Sequence, residues 1–364
     1  MIIDMSNLQR VHKSGDSASR LCCQERAHLL KRSIATSGLC LAGIGEILMD
    51  RFDSGAVTLG GAPFNLTFHL HQLLAALDLG ETAFVSAVGE DAPGDDIRSQ
   101  VTQAGMSPRY LTVDQSHPTG AARVFETPGE AGFEILQDVA WDYLRASPEL
   151  DALAERSQAV VFGSLAQRSA TSRATIRNFV SRVDGTRLYD VNLRRNTTDG
   201  VAGYSAEIIA ESLALATVVK MNDAELEEIA GMLGFHAEDQ EAETQSWNLM
   251  GQFLRRYDLT AITVTRGSHG ALLMGGEKRL KLADSTLPPE SVHPVGAGDS
   301  FAAGVLFGMV QNWRLEDCLR LAEILSIWVV SHISATPRMT SEVLASVKEL
   351  AERATASCAR RESR

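Results

Sequence analysis

The chain has 364 residues, 45% hydrophobic and 22% charged, a balance that supports a folded core and excludes disorder as the default. Its formal net charge of −12 excludes a general nucleic-acid or membrane-surface binder, because phosphate backbones and anionic lipids repel such a surface. Five cysteines, Cys22, Cys23, Cys40, Cys318 and Cys358, show neither zinc-ligand spacing nor the framework of a small secreted domain, so a reducing cytoplasmic setting is expected.

Residues 1–36 are polar, carry Arg20, Arg26, Lys31 and Arg32, and read as an N-terminal extension with at most a short helix around Gln24 to Lys31. The folded domain is predicted over 37–350. Its first apolar run, Leu39 to Met49, is broken by Glu46 and is too short to span a bilayer. β-like runs then recur at Leu39–Ile44, Ala83–Ala87, Ala159–Phe162, Leu188–Val191, Thr217–Lys220 and Ala261–Thr265, most of them separated by helical patterns. That alternation predicts βαβ units and an α/β fold with a mostly parallel sheet covered by helices on both faces. Ala121–Glu126 and Phe133–Leu136 read as a hairpin that joins Ile47 to Leu59 in a small accessory sheet, placed at about 46–60 and 119–138. Residues 351–364 are expected as a tail fraying from the last helix.

In open α/β sheets, ligands bind outside the carboxyl ends of the strands. Polar residues collect at that level: Glu46 and Asp50 after the first run, Asp190, Asn192 and Arg194 after another, then Lys220, Asn222 and Glu225, then Thr265, Arg266 and Gly267. Each cluster alone also suits a turn or a helix cap; their recurrence at one level is what points to a site. Between His293 and Gly304, Pro294 and the Gly296-Ala297-Gly298 run cannot hold a helix, whereas Phe301, Val305, Leu306 and Met309 recur at helical spacing. A helix therefore begins at Gly298-Asp299. Its free N–H groups and dipole suit an anion, although Asp and Ser are also ordinary caps.

Gly60-Gly61-Ala62-Pro63-Phe64-Asn65, ahead of a helix with Leu66, Leu70, Leu73 and Leu77, resembles the amino-terminal signature of the ribokinase/PfkB carbohydrate kinases. Val295-Gly296-Ala297-Gly298-Asp299-Ser300-Phe301 resembles their carboxy-terminal signature, and Lys220-x-Asn222-x-x-Glu225 and Thr265-x-Gly267-x-x-Gly270 fall between them in the family's order. With Gly45-Glu46-Ile47-Leu48-Met49-Asp50, the match covers about Leu39 to Pro337 and looks most like fructokinases.

The resemblance implies a ribokinase-like fold with a small β lid, and ATP-dependent phosphorylation of a sugar hydroxyl. It implies Asp299 as the catalytic base, ionised near neutrality, and Gly296, Ala297 and Gly298 as an anion hole. It assigns Asp50, Gly60, Gly61, Asn65 and Arg194 to the sugar, Asn222, Thr265, Gly267 and Gly270 to the nucleotide, and Glu225 to Mg²⁺. Pro63 also suits a helix start. Fructose or a related monosaccharide is the implied substrate; Arg194 keeps open a sugar acid such as 2-keto-3-deoxygluconate, and pairing of lid strands keeps open a homodimer.

Three positions depart from the family pattern: His293-Pro294, where a monovalent-cation site is usual, Glu323 near the expected adenine position, and Ser334 in the Gly-Ala-Thr-Pro element. They leave a non-catalytic sugar or nucleotide sensor as a rival reading. A dinucleotide-binding dehydrogenase is disfavoured, since no Gly-x-Gly-x-x-Gly follows the first strand.

Overall fold

A computed structural model describes residues 38–127, 130–194, 204–237, 241–283 and 295–362. In chain order β1 (Leu39–Ile44), β2 (Leu48–Phe52) and β3 (Val57–Gly60) precede α1 (Ala62–Leu77), β4 (Gly80–Gly89), α2 (Ala92–Gln103) and β5 (Leu111–Asp114). Strands β6 (Ala121–Thr127) and β7 (Glu130–Ile135) lead to α3 (Pro148–Arg156), β8 (Ala159–Gly163), α4 (Ala170–Arg182) and β9 (Thr186–Asp190). Next come α5 (Ala206–Leu215), β10 (Val218–Asn222), α6 (Asp223–Leu233), α7 (Ala242–Tyr257), β11 (Ala261–Thr265), β12 (Ala271–Gly275) and β13 (Lys278–Leu282). Helices α8 (Ala297–Val310), α9 (Leu315–Val330) and α10 (Ser341–Glu362) close the order.

Among the described residues, the main sheet has nine strands in the order β13-β12-β11-β10-β9-β8-β1-β4-β5. Pairing is parallel from β1 through β8, β9 and β10 to β11, and antiparallel at β12 and β13. β1 is wholly buried, as its uninterrupted apolar run requires of a strand covered on both faces. From β1 the chain passes first to β4 on one side and only later to β8 on the other, so strand order reverses there and a crevice opens at the carboxyl ends. A second sheet has the order β3-β2-β6-β7, with β2 parallel to β6 and antiparallel to β3.

The expected α/β sheet is present, with additions. Ile47 to Leu59 resolves into two strands, because Asp53-Ser54-Gly55 turns the chain between them. β5, β12 and β13 had no counterpart in the predicted runs. β5 is only four residues long, and β13 (Lys-Arg-Leu-Lys-Leu) is an edge strand whose charged, exposed positions mask its pattern. The last helix runs on to Glu362 rather than giving way to a tail near 350; Leu350, Ala351 and Ala354 are buried, which holds the helix well past the expected boundary. The N-terminal extension, with Gln24 to Lys31 and Cys22-Cys23, and the departure at His293-Pro294 lie outside the described residues.

Helix starts are locally encoded. α1 begins after Gly61 (φ 108°) with Pro63 in its first turn, where a missing N–H costs nothing. α6 begins with a capping box, Asn222 Oδ1 accepting from Glu225 N–H at 2.8 Å and Glu225 Oε2 accepting from Asn222 N–H at 2.8 Å. No helix of the described residues is long and apolar enough to cross a membrane.

Candidate active site

α8 starts at Ala297, a residue before the expected Gly298-Asp299, and is preceded by Gly296, whose backbone is left-handed (φ 84°). A Cβ there would stand 2.6 Å from Ala335 Cα, so the turn requires glycine twice over. This turn places Ala297, Gly298 and Asp299 at the head of α8, where the N–H groups lack intrahelical partners. Asp299 is 8% exposed. Its Oδ2 accepts from Asn65 Nδ2 at 2.8 Å, a bond across 234 positions of sequence. The two glycine-rich stretches singled out in the sequence thus meet through one carboxylate.

The other residues that the resemblance assigns to a sugar gather around the same carboxylate. Glu46, at the carboxyl end of β1, and Asp50, on β2, are buried. Gly60 lies so close to Asp50 that a Cβ would be 2.0 Å from Oδ2, and a Cβ on Gly61 would be 2.5 Å from the Glu46 carbonyl oxygen. Arg194 lies over the Phe133 ring of β7, 4.2 Å from Cζ to centroid, and its charge acts on Glu46, Asp50 and Asp299 together. Asn65 Oδ1 and Glu46 Oε2 are buried with no hydrogen-bond partner among the described residues. Buried polar atoms of that kind are met by water or by a ligand.

Burial governs the charge states. It pushes the Asp299 carboxyl up to about 6, with Asp190 raising it further and Lys220, the Asn65 bond and Arg194 pulling it down. Desolvation thus outweighs the helix dipole, which alone would hold the carboxyl low. The group is still mainly ionised at neutral pH. Burial likewise raises Asp50 to about 7 and Glu46 to about 8, Arg194 opposing both shifts.

Glu225, expected to serve Mg²⁺, also holds the backbone. Its Oε1 accepts from Leu193 N–H at 2.8 Å while Oε2 caps Asn222, so both oxygens are engaged by backbone. It pins the loop after β9, where Asn192 has φ 37°, a conformation asparagine tolerates, and so helps hold Arg194 in place. Among the described residues no group of three His, Cys, Asp or Glu could hold a metal.

On the nucleotide side, Asn222 and Thr265 are register partners at the ends of β10 and β11. Gly267 (φ 56°) faces open space, whereas Gly270 (φ 75°) is packed, a Cβ there lying 2.4 Å from the Leu282 carbonyl oxygen. Of these two glycines, Gly267 leaves room for a ligand. Glu323 pairs with Arg320 one turn earlier on α9, and Ser334 Oγ accepts from Thr336 N–H at 3.2 Å.

Sequence reading left Lys220, Asp190 and Glu46 without a role. Lys220 Nζ lies 3.1 Å from Asp190 Oδ1, both buried, and 2.7 Å from where a Gly298 Cβ would be. The available signal was two opposite charges, Asp190 and Lys220, each next to apolar residues in a short strand.

The family description pfkB family carbohydrate kinase matches residues 39–342. A sugar kinase of Pyrococcus horikoshii is 26% identical over 299 residues, covering 79% of this chain and 87% of that protein. A fructokinase of Klebsiella pneumoniae is 25% identical over 297 residues, covering 78% and 89%. The structure of a fructokinase with bound ATP from Xylella fastidiosa superposes with a TM-score of 0.69 at 21% identity, over 86% of this chain and 99% of that one.

Proposed function

Since the chain belongs to the pfkB family of carbohydrate kinases, we propose that it transfers the γ-phosphoryl group of ATP to a hydroxyl of fructose or a related neutral monosaccharide. The observation that carries this reading is the 2.8 Å bond between Asn65 and Asp299, which joins a polyol-binding stretch to the carboxylate at a phosphate-binding helix start. Similarity to fructokinases and the ATP bound in the Xylella fastidiosa structure support the choice of sugar and donor.

In this reading Asp299 accepts the hydroxyl proton as the sugar oxygen forms its bond to the γ-phosphorus and the bond to the β-phosphate oxygen breaks, leaving ADP. The N–H groups of Gly296, Ala297 and Gly298 receive the charge of the transferring group; their value lies in being fixed beforehand. Asp50, Gly60, Gly61, Asn65 and Arg194 orient the sugar, and Asn222, Thr265 and Gly267 lie against the nucleotide. Glu225 organises the loop and helix start. Mg²⁺, when bound with ATP, neutralises phosphate charge; this chain's part is to leave it room beside Asn222. The small sheet acts as a lid that excludes water. Its edge strand β3, with Val57 54% exposed, is the surface through which a second copy would pair.

A sugar acid is the second reading, favoured by Arg194. The balance of charge weighs against it: Arg194 already acts on Glu46, Asp50 and Asp299, and Lys220 on Asp190 and Asp299, leaving little net attraction for a further carboxylate. The test is ADP release from Mg-ATP with a panel of ketoses, aldoses, sugar acids and nucleosides. Turnover of fructose or a neutral relative is expected; no release above an Asp299→Asn control would refute the kinase reading. Preference for acids that Arg194→Ala abolishes would move the assignment to the second.

A further inference from the structure

Lys220 and Asp190 are register partners on the adjacent parallel strands β10 and β9, so their side chains leave the same face of the sheet. Lys220 is 5% exposed and Asp190 0%, and the ammonium stands 3.1 Å from Asp190 Oδ1. Neither Asp190 oxygen has a hydrogen-bond partner among the described residues, so the ammonium is what offsets its charge. A buried pair of this kind is a poor way to stabilise a fold, because desolvation consumes most of the attraction. Its position supplies another reason. The space where a Gly298 Cβ would sit is 2.7 Å from Lys220 Nζ, which puts the ammonium directly against the turn that begins α8.

We propose that Lys220 is a positioning residue of the phosphoryl-transfer site, its ammonium giving fixed positive charge to the Gly296-Ala297-Gly298 turn and to Asp299, with Asp190 holding it there. The proposal rests on the kinase reading above and names a residue that reading does not use. Two effects follow. The ammonium offsets the negative charge that accumulates when a phosphoryl group enters the turn, and it favours the ionised, proton-accepting form of Asp299. Asp190 acts on Asp299 in the opposite sense. The other groups facing Asp299 are the Asn65 amide and Arg194, which favour its ionised form, while Asp299 itself weighs on buried Glu46 and Asp50.

The experiment titrates ¹³C-labelled aspartate by NMR in the full-length protein, with Asp299 assigned through Asp299→Asn, in wild type, Lys220→Met and Asp190→Asn. Asp299 is expected to titrate at higher pH in Lys220→Met and at lower pH in Asp190→Asn. The acid limb of kcat/KM, measured with whichever sugar the panel identifies, should move in the same two directions. A merely structural pair would not separate them. Lys220→Met should also lose about 10²-fold in kcat/KM, the scale of a lost preorganised donor. Unmoved titration in folded single variants overturns the proposal. If single variants fail to fold because one buried charge is uncompensated, Lys220→Met/Asp190→Asn removes both charges; wild-type turnover in it overturns the proposal, and a loss near 10²-fold upholds it. If wild type phosphorylates no sugar, the kinase reading falls, while the opposed shifts in the two single variants still decide whether the pair sets the charge of Asp299.

Discussion

At the scale of single residues, the site is governed by competition between burial and charge. Asp299 sits at a helix start, yet burial raises its carboxyl to about 6. The free enzyme should therefore lose kcat/KM on acidification with an apparent pKa near 6, because protonation removes the acceptor for the hydroxyl proton. A pH-rate profile checks this, and Asp299→Asn should lower kcat by on the order of 10²–10⁴-fold. Glu46 gives a prediction for stability rather than rate. Its carboxyl is raised from 4.5 to about 8, so the folded state binds its proton more tightly than the unfolded chain. The stabilisation this provides is full below pH 4.5 and is lost as pH rises through about 8. Urea unfolding at pH 6 and pH 9 should show wild type weakening over that interval and Glu46→Gln weakening less. Equal loss in both proteins would mean that Glu46 is not the group responsible.

Among elements, the join between α8, α1 and the segment after α9 matters most. Gly296 has φ 84° and no room for a Cβ against Ala335, and the Ala335 carbonyl accepts from His69 Nε2 of α1 at 2.9 Å. His69 is buried and held neutral, its imidazole lowered to about 4 by burial, so this bond persists over the working pH range. Gly296→Ala should cost about 1–3 kcal/mol in chemical denaturation, the range for a strained backbone position. Activity should fall by more than the unfolded fraction explains, since the same shift misaims the N–H groups of Ala297 and Gly298. Gly304, farther along α8, lies against Ala322 of α9, where an added Cβ would be 2.6 Å from backbone. Gly304→Val should destabilise by at least about 1–3 kcal/mol through overpacking while leaving the Asp299 titration unmoved.

For the whole molecule, the main sheet carries Asp190 and Lys220, α8 carries Asp299, and a separate small sheet carries Asp50 and, through Phe133, the platform for Arg194. If the small sheet closes over sugar, hydrogen exchange in β2, β3, β6 and β7 should slow on adding the accepted sugar with a non-hydrolysable ATP analogue, while exchange in β8 to β10 changes little. Unchanged exchange in the small sheet would argue against its being a lid.

The alternation of apolar runs with helical patterns was enough to read the parallel sheet, because a strand covered on both faces must be apolar throughout, as β1 and β8 are. Gly296-Ala297-Gly298-Asp299 and Gly60-Gly61 were legible for a similar reason: turns and close approaches demand residue types that stand out in a sequence. The edge strands β5 and β13 were not, since a strand of four residues and a charged, half-exposed one carry little pattern. Nor could sequence show that Glu225 spends both oxygens on backbone, that Asp299 is raised rather than lowered, or that Lys220 meets Asp190 beneath Gly298. Those depend on which strands lie side by side and how deeply each charge is buried. Desolvation and ion pairing act through distances between residues far apart in the chain, and only the tertiary structure sets those distances.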